Sequence, residues 1–155
     1  DYPNLLVVQT LSKSRALAGL RVGLALGHPN LIQALCCVRD SINSYPVDRV
    51  AQAGAAAALE DGAWFDETRH KIMATRERTV DRLKGLGFTV LPSCANLIFA
   101  RYPGRGGKEL LDGLRQRGIL VRWFDQPRTR DWLRISIGTD EEMDALCAAL
   151  EELIS

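Results

Sequence analysis

A chain of 155 residues that is 46% hydrophobic and 25% charged has the composition of a folded globular protein, which argues against disorder. Twenty basic residues against 19 acidic ones leave a formal charge of +1, with no block of like charge able to grip nucleic acid or a membrane surface, so neither partner is expected. The longest apolar runs, such as Leu5 to Val8 and Val22 to Leu26, are too short to cross a bilayer, and no basic segment followed by an apolar stretch opens the chain. A cytoplasmic location is expected.

The chain begins at Asp1, without an initiator Met, and is strand-like by Leu5, so it reads as an excerpt of a longer protein. Leu5 to Val8 has the pattern of a strand buried on both faces of a parallel sheet. Thr10 to Gly19 is polar, then small, and reads as a connection carrying functional side chains. Arg21 to Gly27 reads as a second buried strand, and His28-Pro29-Asn30 starts a helix with Leu31, Ile32, Leu35 and Val38 as its apolar positions.

Asn43 to Pro46 is a turn, because the residue before a proline is pushed out of the helical region. Val47 to Leu59 is an Ala-rich helix closed by Asp61-Gly62. Trp64 to Leu83 mixes Trp64, Phe65, Ile72, Met73, Val80 and Leu83 with many charges and reads as a long, mostly exposed helix connecting two lobes.

From Gly85 short strands alternate with helices, the pattern of an α+β lobe. Strands are expected at Phe88 to Leu91, Ala95 to Arg101, Ile119 to Arg122 and Trp132 to Ile137, and helices at Lys108 to Arg117 and Glu141 to Leu153. Gly138 to Glu142 is a helix start with a capping side chain and acidic first turn. Pro103-Gly-Arg-Gly-Gly107 lacks both GxGxxG and the Lys-Ser/Thr pair of a P-loop, and is read as a turn.

Cys36, Cys37, Cys94 and Cys147 lack metal or redox spacing and are expected to be reduced, buried thiols; no metal site is expected. His28 and His70 read as surface residues, and Trp123 and Trp132 as packing residues.

Chemistry concentrates near the first two strands. Thr10, Ser12, Lys13 and Arg21 offer two hydroxyls, an amine and a guanidinium, a set suited to a phosphate with a primary amine beside it. A lysine desolvated among such groups becomes a nucleophile. On spacing alone, Lys13 and Arg21 read equally well as ordinary solvated loop charges.

Ser12-Lys13, followed eight positions on by Arg21 within Leu20-Arg-Val-Gly23, resembles the signature around the pyridoxal-phosphate lysine of class I and II aminotransferases. Thr10-Leu-Ser-Lys13 and Leu17-Ala-Gly-Leu-Arg-Val-Gly23 resemble the form in the histidinol-phosphate aminotransferase branch. Asn43-Ser-Tyr-Pro-Val47, Pro92-Ser-Cys-Ala-Asn96, Gly118-Ile-Leu-Val-Arg122 and Leu133-Arg-Ile-Ser-Ile-Gly-Thr139 are similar to further segments of that branch, so the likeness runs along essentially the whole chain.

The resemblance implies an α/β architecture: the C-terminal part of the aspartate aminotransferase-like, pyridoxal-phosphate-dependent transferase fold. Residues 1–62 would end the large-domain sheet, 63–84 would form an interdomain helix and 85–155 a small α+β domain. It implies that Lys13 is the Schiff-base lysine and that Arg21, with Thr10 and Ser12, grips the cofactor phosphate. Arg134 would pair with the substrate α-carboxylate, and its apolar neighbours should bury it. Arg122 would hold either a substrate phosphate or the distal carboxylate of glutamate, or else is a strand-end surface charge. Tyr45 would help line the substrate site. Asn96 is either a pocket residue or one that satisfies the strand entry.

The implied activity is transamination between histidinol phosphate and 2-oxoglutarate in histidine biosynthesis, by a homodimer. Another enzyme of the same fold type is the alternative, such as a threonine-phosphate decarboxylase or an aromatic or aspartate aminotransferase, and a non-catalytic truncated module stands outside both. No segment resembles the family strand that carries an acidic partner for the cofactor's ring nitrogen, and the upstream phosphate loop and stacking aromatic are not matched either. This stretch is therefore not expected to be competent alone.

Overall fold

The apolar run near the start forms β1 (Leu6–Thr10) and the run after Arg21 forms β2 (Gly23–Gly27). The structure, a computed structural model, describes residues 2–155. It divides into two units, one ending at Glu67 and the other spanning Thr68–Ser155, each described by itself.

In the first unit β1 and β2 pair antiparallel, with Leu6 opposite Gly27 and Thr10 opposite Gly23. This corrects the expected parallel pairing. The Leu11 N–H donates to the Val22 carbonyl at 3.1 Å, which carries the ladder into the connection, so the chain returns from the end at which it left. Burial on both faces is not met either: Val7, Val8 and Leu26 are exposed, since no described residue of this unit covers them.

The connection is less loop-like than expected. It holds α1 (Leu11–Ser14) and a 3₁₀ turn (Ala18–Leu20). Thr10 caps α1, its Oγ1 accepting from the Ser12 N–H at 3.1 Å. The helix α2 (Pro29–Ile42) starts with proline in its first turn, where a missing N–H costs nothing, and the His28 Nδ1 accepts from the Asn30 N–H. α3 (Arg49–Glu60) is capped by Asp48, whose carboxylate accepts from the Ala51 N–H at 2.8 Å. Its small Ala51 and Ala55 let it settle closely on Leu11 and Val22, the buried core of this unit, with Leu17, Leu20, Leu24 and Val47 around them.

α4 (Gly62–Gly85) begins directly after Asp61, earlier than its apolar pattern indicates, and the boundary between the units falls within it. Only Thr75, Thr79 and Leu83 are buried along it, in keeping with a mostly exposed helix.

The second unit contains β3 (Thr89–Val90), β4 (Leu97–Arg101), α5 (Gly107–Gln116), β5 (Arg122–Trp123), β6 (Leu133–Ser136) and α6 (Asp140–Ile154). The sheet order is β3-β4-β6-β5, every neighbouring pair antiparallel. Side chains alternate across it. Ile98, Ala100, Leu133 and Ile135 join Leu110, Leu114, Leu146 and Leu150 of α5 and α6 in one core, while Phe99 and Arg134, opposite each other, point to the other face.

α6 starts with a full capping box: the Thr139 hydroxyl accepts from the Glu142 N–H, and the Glu142 carboxylate accepts from the Thr139 N–H at 2.8 Å. Just past the end of α5 lies Gly118, whose φ of 75° is open to glycine at no steric cost and lets the Ile119 N–H reach the Leu114 carbonyl at 3.0 Å. β5 therefore begins later than expected, at Arg122, because Gly118 to Val121 are spent on leaving the helix.

The cysteine expectation needs correction. Cys147 alone is buried, and burial pushes its thiol above the ordinary range; Cys36 is half-buried, and Cys37 and Cys94 are exposed. A helix surface and a turn give those three nothing to pack beneath. Among the described residues no helix is long and apolar enough to cross a membrane, and no group of side chains could hold a metal ion.

Candidate functional site

The first unit presents Thr10, Ser12, Lys13 and Arg21 on one short connection. Leu11 and Val22, both buried, act as its two anchors, so the polar residues between them are carried outward on a stretch pinned at each end. Lys13 is exposed, so residues 2–67 do not supply the desolvation expected for it, and its amine makes no hydrogen bond or ion pair among the described residues. Arg21 is also exposed; one arm of its guanidinium donates to the Ala18 carbonyl at 3.2 Å, leaving its other donors open.

Two residues of this connection adopt a left-handed backbone without being glycine: Ala16 at φ 54° and Arg21 at φ 57°. Each costs roughly 1–2 kcal/mol, and such strain persists only where surrounding packing dictates it. Here that packing is Leu11 and Leu17, the latter's N–H donating to the Leu11 carbonyl at 3.1 Å.

A residue that sequence reasoning missed reinforces the arrangement. Arg15, two positions after Lys13, donates to the Asp61 carbonyl at 2.9 Å and lies 4.0 Å from the Phe65 ring centroid. It ties the lysine's helix to the end of α3. Its proximity to Lys13 was a signal, but nothing local announces partners some fifty residues away.

Thr10 Oγ1 accepts one backbone N–H and keeps its own proton to donate, and Ser12 is half-buried. Two hydroxyls, an open guanidinium and an unpaired amine suit a cofactor that carries both a phosphate and an aldehyde, so this donor set fits pyridoxal phosphate. Tyr45, on the segment between α2 and α3, is 90% exposed, and its ring is held by nothing in the first unit.

In the second unit Arg122 and Arg134 are brought together, directly opposite each other across β5 and β6. Arg134 is half-buried rather than enclosed, contrary to expectation, because its buried neighbours Leu133 and Ile135 face the helices while it faces the other way. Arg122 is exposed. Neither forms an ion pair among the described residues, and both guanidinium groups lie over the ring of Phe124, at 5.5 and 5.4 Å from its centroid. Phe124 was also missed, since one aromatic in a loop carries no periodic signal.

The Asn96 carbonyl accepts from the Ile137 N–H at 2.9 Å, extending the β4–β6 ladder through the main chain. His28 and His70 are exposed. Trp123 packs on the core and donates from Nε1 to the Arg130 carbonyl at 2.6 Å, and Trp132 lies beneath the Arg101 guanidinium.

The loop from β5 to β6 is pressed against the first turn of α5. A Cβ placed on Gly107 would stand 2.7 Å from the Arg130 carbonyl oxygen and 3.0 Å from the Asp131 carbonyl carbon, both backbone atoms. Gly107→Ala is therefore expected to destabilise by about 1–3 kcal/mol despite alanine's better helix propensity, measured as a lowered Tm. An unchanged melt would mean that the loop yields freely.

A family model described as aminotransferase class I and II matches residues 1–150. The chain is 59% identical over 153 residues to histidinol-phosphate aminotransferase 2 of Rhizobium meliloti (strain 1021), covering 99% of this chain and 44% of that relative. Among solved structures it is similar to a histidinol-phosphate aminotransferase from Sinorhizobium meliloti in complex with pyridoxal-5'-phosphate, with TM-score 0.85 and 34% identity over 99% of this chain and 42% of that one. A putative aminotransferase from Burkholderia pseudomallei K96243 is similar at TM-score 0.86 and 35% identity, over 97% of this chain and 45% of that one. The chain thus spans less than half the length of the relatives it matches.

Proposed function

Because this chain belongs to the class I and II aminotransferases, we propose that it serves a pyridoxal-phosphate-dependent transamination of histidinol phosphate with 2-oxoglutarate. The observation that carries this reading is Arg122 opposite Arg134 with no carboxylate paired to either among the described residues, two cations left open for an anionic substrate. The 59% identity to a relative of that name supports the choice of substrate.

When bound, pyridoxal phosphate supplies an aldehyde that captures amines and a ring that draws electrons from the substrate α-carbon. The Lys13 amine would hold the cofactor covalently and, once free, would act as the base that takes the proton from the substrate α-carbon. Arg21 and the Thr10 and Ser12 hydroxyls would hold the phosphate dianion, to which a guanidinium and hydroxyls are suited donors. Arg134 orients the substrate by its α-carboxylate when 2-oxoglutarate or glutamate is bound. Arg122 takes the substrate phosphate in one half-reaction and the distal carboxylate in the other, since a guanidinium serves either anion. Tyr45 lines the substrate site in this reading. The reading extends to a cytoplasmic homodimer working in histidine biosynthesis, an extension resting on the family alone.

Substrate profiling of the full-length holoenzyme tests it. Histidinol phosphate with 2-oxoglutarate is the expected preferred pair. Activity with an aromatic amino acid but none with histidinol phosphate would reject the assignment.

A further inference from the structure

Two like charges directly opposite on one face of an antiparallel pair repel each other, and such a pair normally weakens the sheet. Arg122 and Arg134 stand in that relation across β5 and β6. The common remedy is a carboxylate between them, and none is paired with either among the described residues. Instead, both guanidinium carbons lie within reach of one ring, that of Phe124.

The chemical difference between those remedies is large. A carboxylate would occupy the N–H fork of each arginine, which is the surface that a substrate carboxylate or phosphate must use. The negative face of an aromatic ring attracts the flat guanidinium and leaves its N–H edge open. An aromatic partner therefore holds a cation in place without neutralising it.

The position of Phe124 is itself fixed. Its carbonyl accepts from the Gln126 N–H at 2.9 Å and from the Thr129 hydroxyl at 3.2 Å, while the neighbouring Trp123 Nε1 donates to the Arg130 carbonyl at 2.6 Å. The loop behind it is backed by α5 at Gly107. The ring is thus mounted on a braced turn rather than on a free loop.

We propose that Phe124 is a positioning residue of the anion-binding face. Its ring holds Arg122 and Arg134 at a set separation with their donors free, and so tunes this face to substrates that present a phosphate or a pair of carboxylates. This inference rests on the transamination reading for the identity of those substrates, though not for the presence of two anion-binding arginines.

The test replaces Phe124 in the holoenzyme with pentafluorophenylalanine, which keeps the shape of the ring but inverts the charge of its face, with Phe124→Leu and Phe124→Trp beside it. The pentafluoro and Leu variants are expected to raise KM for histidinol phosphate and for 2-oxoglutarate about five- to tenfold, with kcat changed by less than about twofold and cofactor absorbance retained. Phe124→Trp, with a stronger π face, should keep both KM values near those of the parent. A pentafluoro variant with unchanged KM, or a loss confined to kcat, overturns the proposal. Equilibrium binding of the dicarboxylate glutarate separates this outcome from a wrong choice of substrate. If the parent protein does not turn over histidinol phosphate yet binds glutarate, weaker glutarate binding by the pentafluoro variant still supports the role of Phe124, and equal binding removes it.

Discussion

In the full-length holoenzyme, Lys13→Ala is expected to abolish the visible absorbance of the lysine-bound cofactor and to lower kcat by roughly ten-thousand-fold or more. Removing a group that acts as general base costs about 10²–10⁴-fold by itself, and Lys13 is also assigned the covalent anchoring of the cofactor. The substitution should be quiet structurally. Lys13 is exposed and its amine makes no bond among the described residues, while α1 is held by its neighbour Leu11 and by the Thr10 cap. Circular dichroism and Tm of the cofactor-free protein should therefore match the parent. A mutant that keeps the visible band unchanged would remove Lys13 from the mechanism.

Arg134 carries the second large effect. Its assigned role is a two-pronged pairing with the α-carboxylate, and each charge-assisted hydrogen bond is worth about 1.5–3 kcal/mol. Arg134→Leu should then lower kcat/KM for 2-oxoglutarate by roughly 10²–10⁴-fold, since each 1.4 kcal/mol is tenfold. Arg134→Lys should recover only part of that loss, because an ammonium keeps the charge but lacks the planar fork. The strand around the residue should survive both changes: Leu133 and Ile135, on the opposite face, supply its burial. Equal kcat/KM for the Lys variant and the parent would show that charge alone suffices there.

How much of this was legible in advance depended on whether the signal was local. The helix α6 was readable because its whole start lies within a few residues, a capping hydroxyl at Thr139 and a carboxylate at Glu142. The Ala-rich α3 and the turn beginning at Pro103 were readable for the same reason, propensity and backbone restriction acting within one turn, although Gly107 already belongs to α5. The direction of β2 was not. An apolar run such as Arg21 to Gly27 looks alike in parallel and antiparallel sheets, and only the path of the connection, closed by the Leu11 to Val22 hydrogen bond, decides between them.

The site divided in the same way. Ser12, Lys13 and Arg21 were legible as a motif because their spacing is short and their chemistry specific, and that spacing with the matching segments along the chain determined the family. Three things were left to the tertiary structure: that Arg122 faces Arg134, that Phe124 lies against both, and that Arg15 reaches Asp61. Strand register sets the first, a loop braced by non-local hydrogen bonds the second, and the packing of α3 on Leu11 and Val22 the third. Residue types and short spacings name the chemistry that a chain can do; which of its charges meet, and whether they meet a counter-ion or a ring, is decided by contacts between segments distant in sequence, whose pairing no local pattern encodes.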